Sequence, residues 1–251
     1  MAKQTGIIKL KGTIGDISFY KSADGHLARA KGGIDASRIA NDPAFQRTRE
    51  NGSEFGKAGS GGKVLRNAIR VLLENAKDKR VVSRLTTDLL KIVKTDSTNV
   101  RGERTIQDGD FELLKNFDFN KRAKLGATLF APVESAYDRV TGIADVTLDA
   151  FSPKVRIAAP KGTTHFKIVM GAAELDFVNQ TSTFENDETA VLPYKKADTA
   201  AIDLSATVAE NSTLPVVMVL GIEFYQEVNG EMYSLRNGAY NSLAVQIANK
   251  A

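Results

Sequence analysis

The chain has 251 residues, a formal net charge of +4, and neither cysteine nor tryptophan. That length suffices for one sizeable core or two smaller ones. The missing cysteine excludes disulfides, thiolate nucleophiles and cysteine metal sites, and no apolar run is long enough to cross a bilayer as a helix.

Charge is unevenly spread. Residues 1–105 hold 21 Lys/Arg against 11 Asp/Glu, a balance of +10, and residues 106–251 balance at −6. A basic half can meet nucleic acid, or it can meet the acidic half of a second copy, head to tail. The start, MAKQTGIIKLKG, lacks the apolar stretch of a signal peptide. The expectation is a soluble protein made in the cytosol, with no membrane partner.

The first segment reads as strands. Ile8 and Leu10 alternate with Lys9 and Lys11, and Ile17 and Phe19 with Ser18 and Tyr20. ADG at 23–25 supplies a turn, and Gly12 and Gly15 flank another reversal. The result is a hairpin or three-stranded meander, too small to stand alone. Residues 31–42 read as a connector. Asp42-Pro43 is a helix start, with Asp as N-cap and Pro in the first turn.

A modest helix follows, weakened by Gly52, Gly56 and Gly59. GKAGSGGKV at 56–64 then raises the question of a phosphate loop. The Walker pattern would require Gly at Lys57 and Ser or Thr at Val64, with a buried strand before it. The dinucleotide fingerprint also fails at Val64. The stretch reads as a flexible break between helices, although a helix N-terminus beside Lys63 could attract a phosphate group.

The next helix opens at Ser60 or Gly61, with Leu65, Ala68, Ile69, Leu72 and Ala76 on one face. Asp78 caps a third helix, whose stripe is Val82, Leu85, Leu89 and Ile92. The intervening NAKD is short enough to make these helices antiparallel neighbours. Ten basic residues cluster here: Arg47, Arg49, Lys57, Lys63, Arg66, Arg70, Lys77, Lys79, Arg80 and Arg84. They form a candidate basic face, for phosphate contacts without sequence readout or for a second copy. Only Phe45 and Phe55 lie nearby, so base stacking has little to work with.

DGDFELLKNFDFN at 108–120 holds one short helical turn, and strands take over beyond it. VTLDAF places Val146, Leu148 and Ala150 on one side. THFKIVM, ELDF, AIDLSATV and NSLAVQIA alternate similarly. VMVLGIEFYQEV is apolar on both faces, as a central strand is. Asn229-Gly230 is a hairpin signal, and VTGI at 140–143 is a turn. The spacing predicts an immunoglobulin-like β-sandwich. The fold class is therefore α+β, mainly β. A basic N-terminal strand arm with helices spans 1–105, and an acidic all-β domain spans 106–251.

Chemistry is sparse. The two histidines, His26 and His165, have no metal-ligand spacing. The carboxylate clusters DGD (108–110) and ENDE (185–188) do not match a calcium loop and read as solvated loops. No catalytic, cofactor or metal residue is assigned. The expectation is a non-enzymatic protein that needs no cofactor and whose partner is itself, in a filament, tube or shell. The alternative is nucleic-acid binding by the helices at 43–94.

LKGTIGDISFYKSADGHLARAKGG, FQRTRENGSEF and LRNAIRVLLENA resemble the start of small proteins found in Bacteroidota. Those proteins join a Gly-rich strand pair, a basic strand and a Gln/Arg-rich helix to a β-rich half. The resemblance covers about the first 75 residues, with a looser likeness at LGIEFYQEVNGEMYSLRNGAYNSLAV. It implies the same order of elements and carries no activity.

Overall fold

The computed structural model describes residues 2–22, 24–30, 32–235 and 240–250. The chain divides into two units, residues 1–49 and 50–251.

The small unit holds β1 (Ala2–Lys3), β2 (Gly12–Ile14), β3 (Ile17–Ser22) and β4 (Gly25–Ala30). They form one sheet in the order β1-β4-β3-β2. Gly15, at φ 53°, makes the β2–β3 reversal, which needs the left-handed region. The β3–β4 turn was expected at ADG, of which Ala23 lies outside the described residues. The strand expected through Ile8 and Leu10 does not form: residues 4–11 join no strand between β1 and β2, which starts at Gly12. The expected connector, whose Lys31 also lies outside the described residues, contains a short helix, α1 (Ala36–Asn41). Asp35 accepts the Ser37 N–H at 2.8 Å and so caps it.

Asp42 caps the next turn as its sequence promised, accepting the Ala44 N–H at 2.9 Å. Helix α2 (Gln46–Ala68) then runs through all five of its glycines, and the division between units falls within it. The flexible break expected in the stretch 56–64 is absent, because the helix is continuous there. Each glycine in a helix costs about 1 kcal/mol relative to Ala, and packing offsets this locally. A Cβ on Gly61 would lie 2.1 Å from Ile106 Cδ1 and 3.2 Å from Phe177 Cδ1. One on Gly62 would lie 3.4 Å from Leu89 Cδ1. Bare backbone at these two positions lets neighbouring side chains reach the helix axis. Lys63 consequently sits inside a helix, so the helix N-terminus on which the alternative anion site depended is not beside it.

Helix α3 (Arg70–Leu73) follows a break at Ile69, and α4 (Val81–Thr95) carries the predicted stripe, shifted at its start. Val81 is buried and Val82 exposed, while Leu85, Leu89 and Ile92 are fully buried. The expected Asp78 cap does not form: Arg80 is the N-cap and has no side-chain cap bond, and Asp78 lies in the turn before it, accepting the Arg80 N–H at 2.6 Å. The short turn expected near 111 is a 3-10 helix, Phe111–Leu114.

The strands of the large unit are β5 (Glu134–Asp138), β6 (Ile143–Leu148), β7 (His165–Asp176), β8 (Thr181–Glu188), β9 (Leu192–Pro193), β10 (Ile202–Thr207), β11 (Val216–Val228), β12 (Glu231–Ser234) and β13 (Ser242–Asn249). A small antiparallel sheet has the order β10-β6-β5. In the larger one β11 is central, with β7 along one edge and β13 then β12 along the other. β8 and β9 pair the far side of β7.

Period-two alternation sorts the larger sheet into two faces. Phe166, Ile168, Met170 and Ala172 of β7 join Met218, Leu220 and Ile222 of β11, and they pack with Ala144, Val146 and Leu148 of the small sheet. Val169, Ala173 and Leu175 join Val217 and Val219 on the opposite face, with Leu65, Ile69, Leu85 and Leu89 of the helical region. The layers are helices, large sheet and small sheet. The fold is α+β, mainly β, with two sandwich-like sheets.

Three strand expectations change. THFKIVM and ELDF are one twelve-residue strand, because Gly171 admits Phe184 where a Cβ would lie 2.6 Å from its ring. The ENDE cluster lies in β8 and is no loop. Ala150 is exposed beyond the end of β6. In β13 the register shifts opposite Met218/Val219, leaving Gln246 as an extra residue. Leu243, Val245 and Ala248 therefore share a face that strict alternation would split. The Asn229-Gly230 hairpin forms as expected, at φ 53° and 84°.

Candidate interaction surface

Among its described residues, the small unit builds no core of its own. No described residue from 2 to 49 is buried. Ile7 is fully exposed, Ile8 is 80% exposed and Ile14 63%, and Leu10, Ile17 and Ile34 are exposed with them. A sheet of four short strands with no buried side chain has little apolar burial to oppose its conformational entropy. The segment Gly6–Lys11 lies outside the strands. Gln4 holds it at two residues: its side chain accepts the Leu10 N–H at 2.8 Å and donates to the Leu10 carbonyl at 3.3 Å, and its carbonyl accepts from Lys9 Nζ.

The ten basic residues play different parts. Arg84 is structural: Nη2 lies 2.7 Å from Asp78 Oδ2, Nη1 donates to the Asp118 carbonyl at 2.8 Å, and the guanidinium stacks 5.0 Å from the Phe117 ring centre. Burial pushes the Asp78 carboxyl upward, but N–H donors from Lys121 and Arg80 and the Arg84 guanidinium outweigh it and hold the pKa low. Arg49 donates to the carbonyls of Ile39 and Asp42 at 2.7 and 3.0 Å, closing the end of α1. Lys57 donates to the carbonyls of Gly102 and Glu103.

Arg66 is half-buried, and burial draws its guanidinium below the usual arginine range. Its Nη1 is buried without a hydrogen-bond partner. Arg70 is exposed, 4.0 Å from Glu74. Lys63, Lys77, Lys79 and Arg80 are exposed, and among the described residues no carboxylate pairs with them. Arg47 is exposed and belongs, with Arg49, to the small unit.

The carboxylate clusters are occupied within the fold. Asp108 accepts from Asn99 and Thr105, and Asp110 caps the 3-10 helix through the Glu112 N–H. Glu188 lies 2.8 Å from Lys167. His165 Nδ1 lies 3.0 Å from Thr164 Oγ1, and His26 belongs to β4 of the small unit. Among the described residues, no group of three or more His, Asp or Glu is placed to hold a metal ion. No described helix is long and apolar enough to cross a membrane.

Sequence reasoning missed one carboxylate with a defined role. Glu54, 1% exposed, accepts from Gly102 N–H at 2.9 Å and pairs with Arg104 at 2.7 Å. Burial raises its pKa, and these donors outweigh burial and lower it. No local signal marks it, because its partners lie about fifty residues away.

No family model matches the chain, and no curated protein matches it. A solved structure described as "pH-induced modulation of Streptococcus parasanguinis adhesion by Fap1 fimbriae" is similar over 46% of this chain and 80% of its own, at 13% identity and a TM-score of 0.23. A likeness of that size supports no conclusion about this chain. What distinguishes the described residues is an arm with no buried side chain and four exposed basic side chains, Lys63, Lys77, Lys79 and Arg80, that no described carboxylate pairs.

Proposed function

We propose that the chain is a non-enzymatic structural subunit that assembles with copies of itself through its N-terminal arm. One observation carries this reading: no described residue of the arm is buried, yet the arm exposes Ile14 and Ile17 on its sheet and Ile7, Ile8 and Leu10 in the segment before β2. Covering such a surface is worth about 25 cal/mol per Å² of apolar area, and an open strand edge beside it is a template for pairing with another chain. The split between a basic first part and an acidic second part favours a head-to-tail arrangement. Sedimentation velocity over a range of concentration at low and high salt, with negative-stain microscopy, tests this. Concentration-dependent polymers that weaken with salt are expected, and a clean monomer at high concentration and low salt refutes the reading.

A second reading has its own observation: Lys63, Lys77, Lys79 and Arg80 are exposed and unpaired. Binding to nucleic acid through them would be insensitive to sequence and fall steeply with salt. A filter-binding assay with duplex and single-stranded probes tests it. Affinity unchanged by reversing these four residues to Glu would refute it.

A further inference from the structure

Two sheet edges in the large unit lie side by side. β8 ends the larger sheet, β10 ends the small one, and the Ser205 N–H of β10 reaches Asp187 Oδ2 of β8 at 3.1 Å. Beside that bond lies a cleft of about 470 Å³ lined by β8, β10 and the segment between them. Four carboxylates line it, Asp187, Glu188, Asp198 and Asp203, against the single amine of Lys195. Its apolar lining includes Leu192, Ile202 and Leu204.

β10 pairs with β6 on its other side only. Because Ser205 directs its N–H away from β6, Asp203, two residues earlier, directs its own backbone groups the same way. They have no strand partner among the described residues. Strand β10 alternates strictly, with Ile202 and Leu204 inward and Asp203 and Ser205 outward. An added strand must match it, apolar residues beside Ile202 and Leu204 and basic residues beside Asp203.

Gly6–Lys11, GIIKLK, has that pattern. Ile8 and Leu10 alternate with Lys9 and Lys11, the apolar side chains are exposed, and the segment belongs to no strand of its own unit. Resting on the self-assembly reading above, we propose that residues 6–11 of one copy enter this cleft of a second copy and pair as a short strand with the free Asp203 edge of β10, stopping short of the Ser205 N–H that Asp187 already holds. Ile202 and Leu204 are already buried in the core, so Ile8 and Leu10 then pack at the half-buried Leu192, and Lys9 and Lys11 face Asp203 and Asp198. Charge complementarity selects this occupant: the cleft is acidic and the segment carries no acid.

The test mixes equal amounts of full-length unlabelled and nitrogen-15-labelled protein, joins touching amines and carboxylates with a carbodiimide, and maps the links by mass spectrometry. Mixed-isotope links from Lys9 or Lys11 to Asp198 or Asp203 are expected. The variant Lys9→Glu/Lys11→Glu should assemble about tenfold or more weakly, and Asp198→Lys/Asp203→Lys in a partner copy should restore it. None of these residues is buried, so each variant should unfold like the parent. Links that map elsewhere, links confined to one isotope, or an Ile8→Asp/Leu10→Asp variant that assembles normally would overturn the assignment and leave the assembly reading standing. A parent protein that stays monomeric would overturn both.

Discussion

Asp187 on β8 accepts the backbone N–H of Ser205 on β10 at 3.1 Å, tying the edge of the large sheet to the edge of the small one. Asp187→Ala removes the half-buried acceptor of the exposed Ser205 N–H and should cost about 0.5–1 kcal/mol. Asp187→Asn retains an acceptor and should recover most of that. Urea unfolding of the three proteins measures the difference, and equal midpoints would show that water replaces the bond without loss.

The glycines of α2 should separate into two groups. Gly52 and Gly56 have nothing within 4 Å of where a Cβ would stand. Replacing either with Ala should stabilise the protein by about 0.5–1 kcal/mol. Gly61→Ala forces a carbon to within 2.1 Å of Ile106 Cδ1 unless that side chain moves, and should destabilise by about 1–3 kcal/mol through overpacking. Thermal and urea unfolding give the signs.

Asp96 supplies a pH dependence. Burial pushes its carboxyl upward, but donors from the Asn99 side chain and the backbone N–H groups of Asn99, Thr105 and Thr98 prevail and lower the pKa to about 2. A depressed carboxylate pKa gives stability that is complete above the unfolded value and is lost as pH falls through the folded one. That loss should run from about pH 4 down through about pH 2. Asp96→Asn turns an acceptor oxygen into a donor facing donors, and should cost about 1–3 kcal/mol at pH 7. The gap between parent and variant should narrow on acidification below pH 4, measured by urea unfolding at several pH values. A gap unchanged down to pH 2 would contradict the assigned titration.

Arg84 and Lys79 lie close in sequence and should behave differently. Arg84→Met strips partners from Asp78 and from two carbonyls and should cost about 2–4 kcal/mol. Lys79→Glu changes an exposed side chain and should stay within about 0.5 kcal/mol. The two midpoints in urea separate the structural arginine from a surface charge.

Deleting residues 1–34 removes no buried side chain among the described residues. The unfolding free energy should change by less than about 1 kcal/mol, while sedimentation should report loss of assembly. A large fall in stability would mean that the arm supports the larger unit.

What the sequence determined by itself was local. Alternation sufficed for β6 and β10, each of which meets water on one face. A run apolar on both faces marked β11 as central, and it carries strands along both edges. Asp42-Pro43 and Asn229-Gly230 declared a helix start and a hairpin, because capping and positive φ are set by the residues themselves. Tertiary structure decided the rest. Helix α2 persists through Gly61 because Ile106 and Phe177 fill the missing Cβ, and β7 stays one strand through Gly171 because Phe184 does the same. The cleft between β8 and β10 pairs residues that no local window joins to a sheet edge. Propensity acts over a few residues and is worth about 1 kcal/mol per position, whereas burial against a distant neighbour is worth more. Only the folded chain says who that neighbour is.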